Sequence, residues 1–426
     1  MTGWILFGTF FVLVFLNVPI AVSLGLSTLI GLLVSGVDFS MFPSIMYSSV
    51  GKFALLAIPF FILAGTIMDY AGISKRLVRL AQVCVGHTKS GMLAVVVIVA
   101  CFFAAISGSG PATVAALGAI LIPALTDVGY DKGTATALMS ASGGIGIVIP
   151  PSIAFVVYAS VTDVSVGRLF AGGFIPGILV GVAYFLAAKF ASRNNPNVKQ
   201  MPKASAKERW DALKDAVWGL LMPVIILGGI YGGIFTPTEA AGVAVIYGLI
   251  VGIFIYREIN LKQLWNMFVD SAVSSATVMY IVACASVFAW ILTTSNIASS
   301  LSAALLAVSS NKYVILLLTN IIFLIAGCFL DANSAYYILL PIMVPVMRAI
   351  GVDLIHFGVF VTVNMVIGLI PPPVGINLYV GCKIANLPVG ELCKKIGPFL
   401  IAGIIALMIL TYIPAITMVV PNLIAK

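Results

Sequence analysis

The chain predicts an all-α polytopic membrane protein made of two inverted-topology repeats, each with a re-entrant helical hairpin and a broken transmembrane helix. Three observations predict it. Of the 426 residues, 62% are hydrophobic and only 8% charged, with a mean hydropathy of +1.18; too few polar residues remain to cover a water-soluble surface. A motif recurs at an offset of 222 residues: Gly-[Ile/Leu]-[Val/Ile]-x-Pro-Pro, at Gly146–Pro151 and at Gly368–Pro373, each inside an apolar segment. At the same offset Ser109 meets Asp331, Pro123 meets Pro345, Gly129 meets Gly351, Asp131 meets Asp353 and Pro176 meets Pro398. The third observation is where the cations fall. If 75–89, 127–133, 189–214, 257–262 and 383–395 are cytoplasmic, they hold 17 of the 22 Lys and Arg and leave only Lys52, Arg168, Lys312, Arg348 and Lys426 outside. That bias sets the orientation.

Taken in order, residues 1–54 read as N-terminal scaffold helices. Asn17-Val18-Pro19 divides either one tilted span or two short ones. No basic n-region or cleavage site marks a removed signal peptide, and both termini are expected outside. Repeat 1 is expected over 55–190. Its segments 92–108 and 111–126, joined by Ser107-Gly108-Ser109-Gly110-Pro111 and flanked by cytoplasmic signals, form hairpin 1 (about 92–126), and a broken helix follows at 134–160. The polar stretch 191–214 is expected to be a cytoplasmic connection, and 215–269 further scaffold helices. Repeat 2 occupies 270–426, with hairpin 2 (about 313–348) between Lys312 and Arg348 and a broken helix at 354–381. Five crossings, at about 134–160, 170–189, 215–233, 239–256 and 270–293, separate Asp131 from Asp353, and an odd number inverts the second repeat. Each span needs about 17–25 residues to cross about 30 Å of hydrocarbon.

Interrupted helices at membrane depth have a chemical consequence. Where Gly143-Gly144-Ile145-Gly146 and Pro150-Pro151 break a helix, carbonyls lose their partners and proline supplies no donor. Such backbone persists only against protein or a hydrated cavity, where carbonyls bind a cation and helix N-termini attract an anion. One cation is therefore expected on Ser107, Gly108, Ser109, Gly143, Gly144, Gly146 and Pro150. A second is expected on Asp331, Asn333, Asn364, Gly368 and Pro371. Structural readings compete: glycines permit close helix packing, hydroxyls such as Ser107, Ser109 and Thr113 bond to their own helix, and Asp331 caps the second hairpin arm.

Other features carry no chemistry. Thr236-Pro237-Thr238-Glu239 before an apolar run reads as a capping box. Lys75, Arg76 and Arg79 read as a basic helix face at the cytoplasmic surface. The six cysteines, scattered without a CxxC, read as small buried hydrophobes. His87 and His356 lie far apart, so no transition-metal site is expected. No Walker, GxGxxG or HExxH motif and no Ser/His/Asp arrangement is present. The reading is a secondary transporter, not an enzyme, with no cofactor. The net charge of +8 follows topology and indicates neither a nucleic-acid nor a lipid ligand; as a membrane protein the chain has membrane lipid, and no nucleic acid, among its expected partners.

The runs Ala57-Ile58-Pro59-Phe60-Phe61 with Ala64-Gly65, Ile106-Ser107-Gly108-Ser109 with Ala112-Thr113, Gly146 to Ser152, Phe235 to Ala241, and Asn364 with Ile367 to Ile370 and Pro372-Pro373 resemble the large membrane subunit of tripartite ATP-independent periplasmic (TRAP) transporters. The resemblance spans essentially the whole chain. It implies a bacterial inner-membrane symporter with an elevator-type ion-transporter-like fold, sodium as coupling ion, a small four-helix membrane subunit, and a periplasmic binding protein that delivers an organic acid. C4-dicarboxylates, keto acids, sugar acids and sialic acid all fit. With no Lys or Arg placed at membrane depth, the substrate is expected on Thr113, Pro151, Ser152, Ser334, Pro372 and Asn377, beside Asn333 and Asn364. Two departures from the family pattern are Pro371, where a threonine or small residue is commoner, and the hairpin tip Asp331-Ala332-Asn333-Ser334-Ala335-Tyr336. Tyr336 and Tyr337 either line the cavity or pack the hairpin. The alternative is a stand-alone sodium- or proton-coupled organic anion carrier that needs no binding protein.

Overall fold

Seven helices are long and apolar enough to cross a membrane in the computed structural model, which describes residues 2–424; they include Val166–Ala191, Ala206–Tyr231, Leu261–Thr294 and Val389–Tyr412. No strand occurs among the described residues, as expected where lipid offers backbone no partner. The protein is an all-α, multi-pass membrane protein.

The shorter helices are the ones the sequence interrupts. Hairpin 1 consists of Gly91–Ser107 and Gly110–Asp127, and hairpin 2 of Lys312–Gly327 and Ala332–Ala349. At 1.5 Å per residue a 17-residue arm such as Gly91–Ser107 extends about 26 Å, short of the bilayer core. The first broken helix runs as Lys132–Gly143, a 3-10 turn Gly144–Ile147 and Ile153–Thr162; the second as Leu354–Gly368 and Ile376–Ala385. Asp131 and Asp353, equivalent at the 222-residue offset, each cap the start of their broken helix, and the Pro150-Pro151 and Pro372-Pro373 peptides are both cis.

The repeat is also visible in the packing. A Cβ at Gly144 would meet the Val366 side chain and carbonyl at 2.9 and 3.1 Å, and these two positions are equivalents of each other. A contact between equivalent positions lies on the pseudo-two-fold axis, so the axis passes where the broken helices cross. The approach of Gly181 to Ile145 recurs as that of Gly403 to Ile367 at the same offset. Likewise the second arm of hairpin 1 packs on Ile376–Ala385, and the second arm of hairpin 2 on Ile153–Thr162.

Two boundaries differ from expectation, and one open alternative is decided. The scaffold boundary placed at 269/270 falls inside the continuous 34-residue helix Leu261–Thr294. Apolar periodicity marks only its membrane part, and the Asn260–Gln263 capping box starts it nine residues earlier. The connection 191–214 ends at Ser205, whose hydroxyl and backbone close a capping box with Glu208 and begin Ala206–Tyr231 inside the polar stretch. Asn17, with positive φ, separates two helices, Thr2–Phe15 and Ile20–Ser35, which pack on each other.

Arg76 is no solvated face. Its Nε donates to Asp215 at 3.1 Å, Nη2 to Glu258 at 2.6 Å, and Nη1 to the Ala71 and Gly72 carbonyls. The guanidinium lies 3.8 Å from the Tyr256 ring centre, so it ties Ile73–Val85 to two scaffold segments. Cys84, expected buried, is exposed at the end of that helix. At the start of Lys132–Gly143, burial works against the Asp131 charge. The Thr134 amide and hydroxyl and Lys395 at 3.1 Å outweigh it and hold the carboxyl below its usual range.

Thr236 accepts the Glu239 N–H at 3.3 Å while Glu239 accepts the Thr236 N–H at 2.8 Å, the expected capping box. Thr236→Ala is expected to cost about 1 kcal/mol, read as a lower melting temperature of the purified protein, with Ser at 236 restoring it. An unchanged melting temperature would mean the box does not hold this helix.

Candidate functional site

The tip of hairpin 1 is built by one glycine. Gly108 has φ +59, a left-handed conformation that closes the turn after Ser107. Ser109 then donates its N–H to the Ser107 hydroxyl at 3.3 Å, and the Thr113 hydroxyl donates to the Ser109 carbonyl at 2.7 Å while lying 2.9 Å from the Ser107 hydroxyl. Against this knot sits the first break. A Cβ at Gly146 would lie 2.9 Å from the Thr113 hydroxyl and 3.1 Å from the Ser109 carbonyl oxygen, and one at Gly108 would lie 3.2 Å from the Pro151 carbonyl oxygen. Gly143 faces Val114 and the Gly110 carbonyl, and Pro150 is buried. The structure thus brings together Ser107, Gly108, Ser109, Gly146 and Pro151. It places Thr113 inside the same cluster.

Proline's missing donors shape the rest of this break. The Ile147 carbonyl, left without a helical partner, is taken by the Ser152 hydroxyl at 2.6 Å, and Ser152 also accepts the Phe155 N–H at 3.3 Å. Ser152 is therefore a fully buried cap of Ile153–Thr162 whose hydroxyl is already engaged. Asn377 crosses from the other repeat. Its Nδ2 donates to the Ser140 carbonyl at 3.1 Å, it abuts Gly110 and Gly144, and its Oδ1 is buried without a partner. The N-termini of Gly110–Asp127, Ile153–Thr162 and Ile376–Ala385 consequently meet at one place, which favours negative charge there.

Hairpin 2 is held differently. Asp331 is the N-cap of the second arm: one carboxylate oxygen accepts the Asn333 N–H at 3.0 Å and the other the Ser334 hydroxyl. Ser334 is fully buried, and Asn333 leaves its Oδ1 buried and unpartnered. The side-chain bonds of Asp331 and Ser334 stay within the tip. At Gly368 and beyond, hairpin 2 meets the second break through backbone: a Cβ at Gly368 would lie 2.6 Å from the Gly327 Cα, and the Val374 N–H donates to the Cys328 carbonyl at 3.2 Å. Asn364, buried, donates to Asn320 Oδ1 at 2.9 Å and to the Phe360 carbonyl at 3.0 Å, which leaves its own Oδ1 free. Tyr336 and Tyr337 are buried, bonded to Thr362 at 2.6 Å and Ser160 at 3.2 Å; they pack the hairpin.

The two breaks are unequally open. Pro150, Pro151 and Ser152 are buried, whereas Pro371 is half-buried and Pro372, Pro373 and Val374 are exposed.

Sequence reasoning missed three groups. Ser140 and Ser142, four and two residues before Gly144, carry buried hydroxyls without partners. Hydroxyls at that spacing just before a double glycine were the available signal. Asn320, a lone amide in the apolar arm 312–327, links Asn364 to Thr411 at 3.0 Å. What the cluster offers is hard oxygen: hydroxyls, amide oxygens and carbonyls freed by the breaks, with helix N-termini beside them.

The family model "Tripartite ATP-independent periplasmic transporter, DctM component" matches residues 7–416. The C4-dicarboxylate TRAP transporter large permease protein DctM of Pseudomonas aeruginosa is 41% identical over 401 residues, 94% of either chain. The isethionate TRAP transporter permease protein DctMQ of Oleidesulfovibrio alaskensis is 41% identical over 97% of this chain, which spans 65% of that relative's length. The sialic acid TRAP transporter large permease protein SiaM of Vibrio cholerae is 34% identical over 96% of each. Among solved structures, the Alcanivorax borkumensis YdaH transporter shares the fold, with a TM-score of 0.62 at 17% identity over 88% of each chain.

Proposed function

Because the chain belongs to the DctM family of TRAP transporters, as the large permease subunit of an organic acid uptake system, we propose that it imports its acid in symport with sodium by an elevator motion of the two-hairpin unit. The reading rests chiefly on the crossing of the two broken helices at Gly144 and Val366, each with a hairpin tip against it. Buried acceptors without a partner lie on these elements: the amide oxygens of Asn333 on hairpin 2 and of Asn364 and Asn377 on the second broken helix, and the hydroxyls of Ser140 and Ser142 on the first. Buried acceptors without donors favour a cation.

One sodium binds at Ser107, Gly108, Ser109 and the Gly143–Pro150 break. A second binds at Asp331, Asn333, Asn364, Gly368 and Pro371. The acid carboxylate sits at the converging N-termini, near Pro151, Pro372 and Asn377. Exposure of Pro372–Val374 beside a closed Pro150–Ser152 fits one end state of alternating access. The chain works in the bacterial inner membrane with a small membrane subunit and a periplasmic binding protein. The relative whose name joins M and Q, and which extends well beyond this chain, supports the first of those partners. C4-dicarboxylates, isethionate and sialic acid, named for the relatives, are the first substrates to try.

The test is uptake of radiolabelled acids by proteoliposomes holding this chain and its small partner, with and without binding protein. Uptake that needs both the binding protein and a sodium gradient is expected. Uptake indifferent to the binding protein would make this a stand-alone carrier.

A further inference from the structure

A cavity of about 730 Å³ separates hairpin 1 from the scaffold. Its walls are the first arm from Ala94 to Ala105, the helix Val166–Ala191 from Phe174 to Phe185, and the helix Ala206–Tyr231 from Leu220 to Gly228; no lining side chain is charged. Ala94 to Ala105, eleven residues on, is about 16 Å of helix at 1.5 Å per residue, close to one leaflet of a hydrocarbon core about 30 Å thick. An organic acid would find no donor along these walls.

The cytoplasmic mouth is different in kind. The apolar stripe Phe174, Ile178, Val182 and Phe185 continues on the same helix face to Lys189, which is exposed, and Lys89 stands exposed just before the first arm. On the third wall, Arg209 and Leu213 share the helix face of Leu220, Val224 and Leu227. They line a second pocket of about 510 Å³ with Lys203 and Trp210. Nε and Nη2 of Arg209 are shielded from solvent without a partner. None of Lys89, Lys189, Lys203 and Arg209 joins an ion pair among the described residues.

We infer that this crevice is a binding site for an anionic phospholipid of the cytoplasmic leaflet, acyl chain between hairpin 1 and the helix Ala206–Tyr231, phosphate at Lys89 and Lys189. Apolar walls one leaflet deep under an unpaired cationic mouth are complementary to that one molecule and to neither a zwitterionic lipid nor a soluble anion. The lipid lies between the hairpin-bearing unit and the scaffold, where relative motion would have to slide past it.

The experiment uses the complex with its small subunit in lipid nanodiscs, without substrate or sodium, so its outcome is independent of the transport reading. Phosphatidylglycerol and phosphatidylcholine carrying the same photoactivatable acyl chain are cross-linked, and the adducts are mapped by mass spectrometry. Phosphatidylglycerol adducts are expected in 94–105 and 174–185, exceeding those of phosphatidylcholine by about fivefold or more. The surface variant K89Q/K189Q should lower them to the phosphatidylcholine level, and Val182→Trp, which narrows the cavity, should lower adducts of both. Equal labelling by the two lipids, insensitivity to the charge variant, or adducts found only when the small subunit is absent would each overturn the proposal.

Discussion

Gly368→Ala is expected to abolish uptake and to lower stability by about 3 kcal/mol, the upper end for an overfilled core. The added methyl would stand 2.6 Å from the Gly327 Cα and 3.0 Å from its carbonyl oxygen. Those are backbone atoms, which cannot rotate aside as a side chain does, so the first arm of hairpin 2 must move off the second break. An internal control exists. Gly397 lies in the helix Val389–Tyr412 with nothing within 4 Å of its missing Cβ, so Gly397→Ala should be neutral or stabilising by about 0.5–1 kcal/mol. Melting temperature and uptake are measured on both. If Gly368→Ala behaves like Gly397→Ala, the close crossing of hairpin 2 and its break is not the working geometry.

Asp331→Asn is expected to leave the fold intact and to weaken the sodium dependence of uptake by at least about tenfold, equivalent to about 1.4 kcal/mol. Asparagine caps a helix as well as aspartate does, so the bond from the Asn333 N–H at 3.0 Å survives while the charge is lost. Asp331→Ala removes both and should add about 1 kcal/mol of instability. The pair separates two roles that one alanine would confuse. Wild-type sodium dependence in Asp331→Asn would reduce Asp331 to the cap that the geometry displays.

Much of the architecture was legible because lipid enforces strict rules. Both breaks follow from Gly and Pro placement at one offset, both hairpins from short apolar segments and the charges that flank them, and Asp131 and Asp353 announce their helix starts by type alone. The sequence could not show which polar groups turn toward one another. The Thr113 hydroxyl donates to the Ser109 carbonyl, and the Ser152 hydroxyl satisfies the Ile147 carbonyl that two prolines leave open; neither pairing has a mark in the sequence. Asn377 belongs to repeat 2 by sequence and to the hairpin 1 cluster by contact, because the broken helices exchange partners across the pseudo-axis. Arg76 sits in a run of surface cations and points inward, since Asp215 and Glu258 lie more than a hundred residues away. Polar networks assembled over such separations leave no local pattern.

The central claim is that the two mirrored clusters each carry a cation with every acid. Radiosodium and radiolabelled acid entering the same proteoliposomes, counted together in the presence of the binding protein, test it most directly. At least two sodium ions are predicted per acid. Acid entry at full rate with no accompanying sodium would contradict the account.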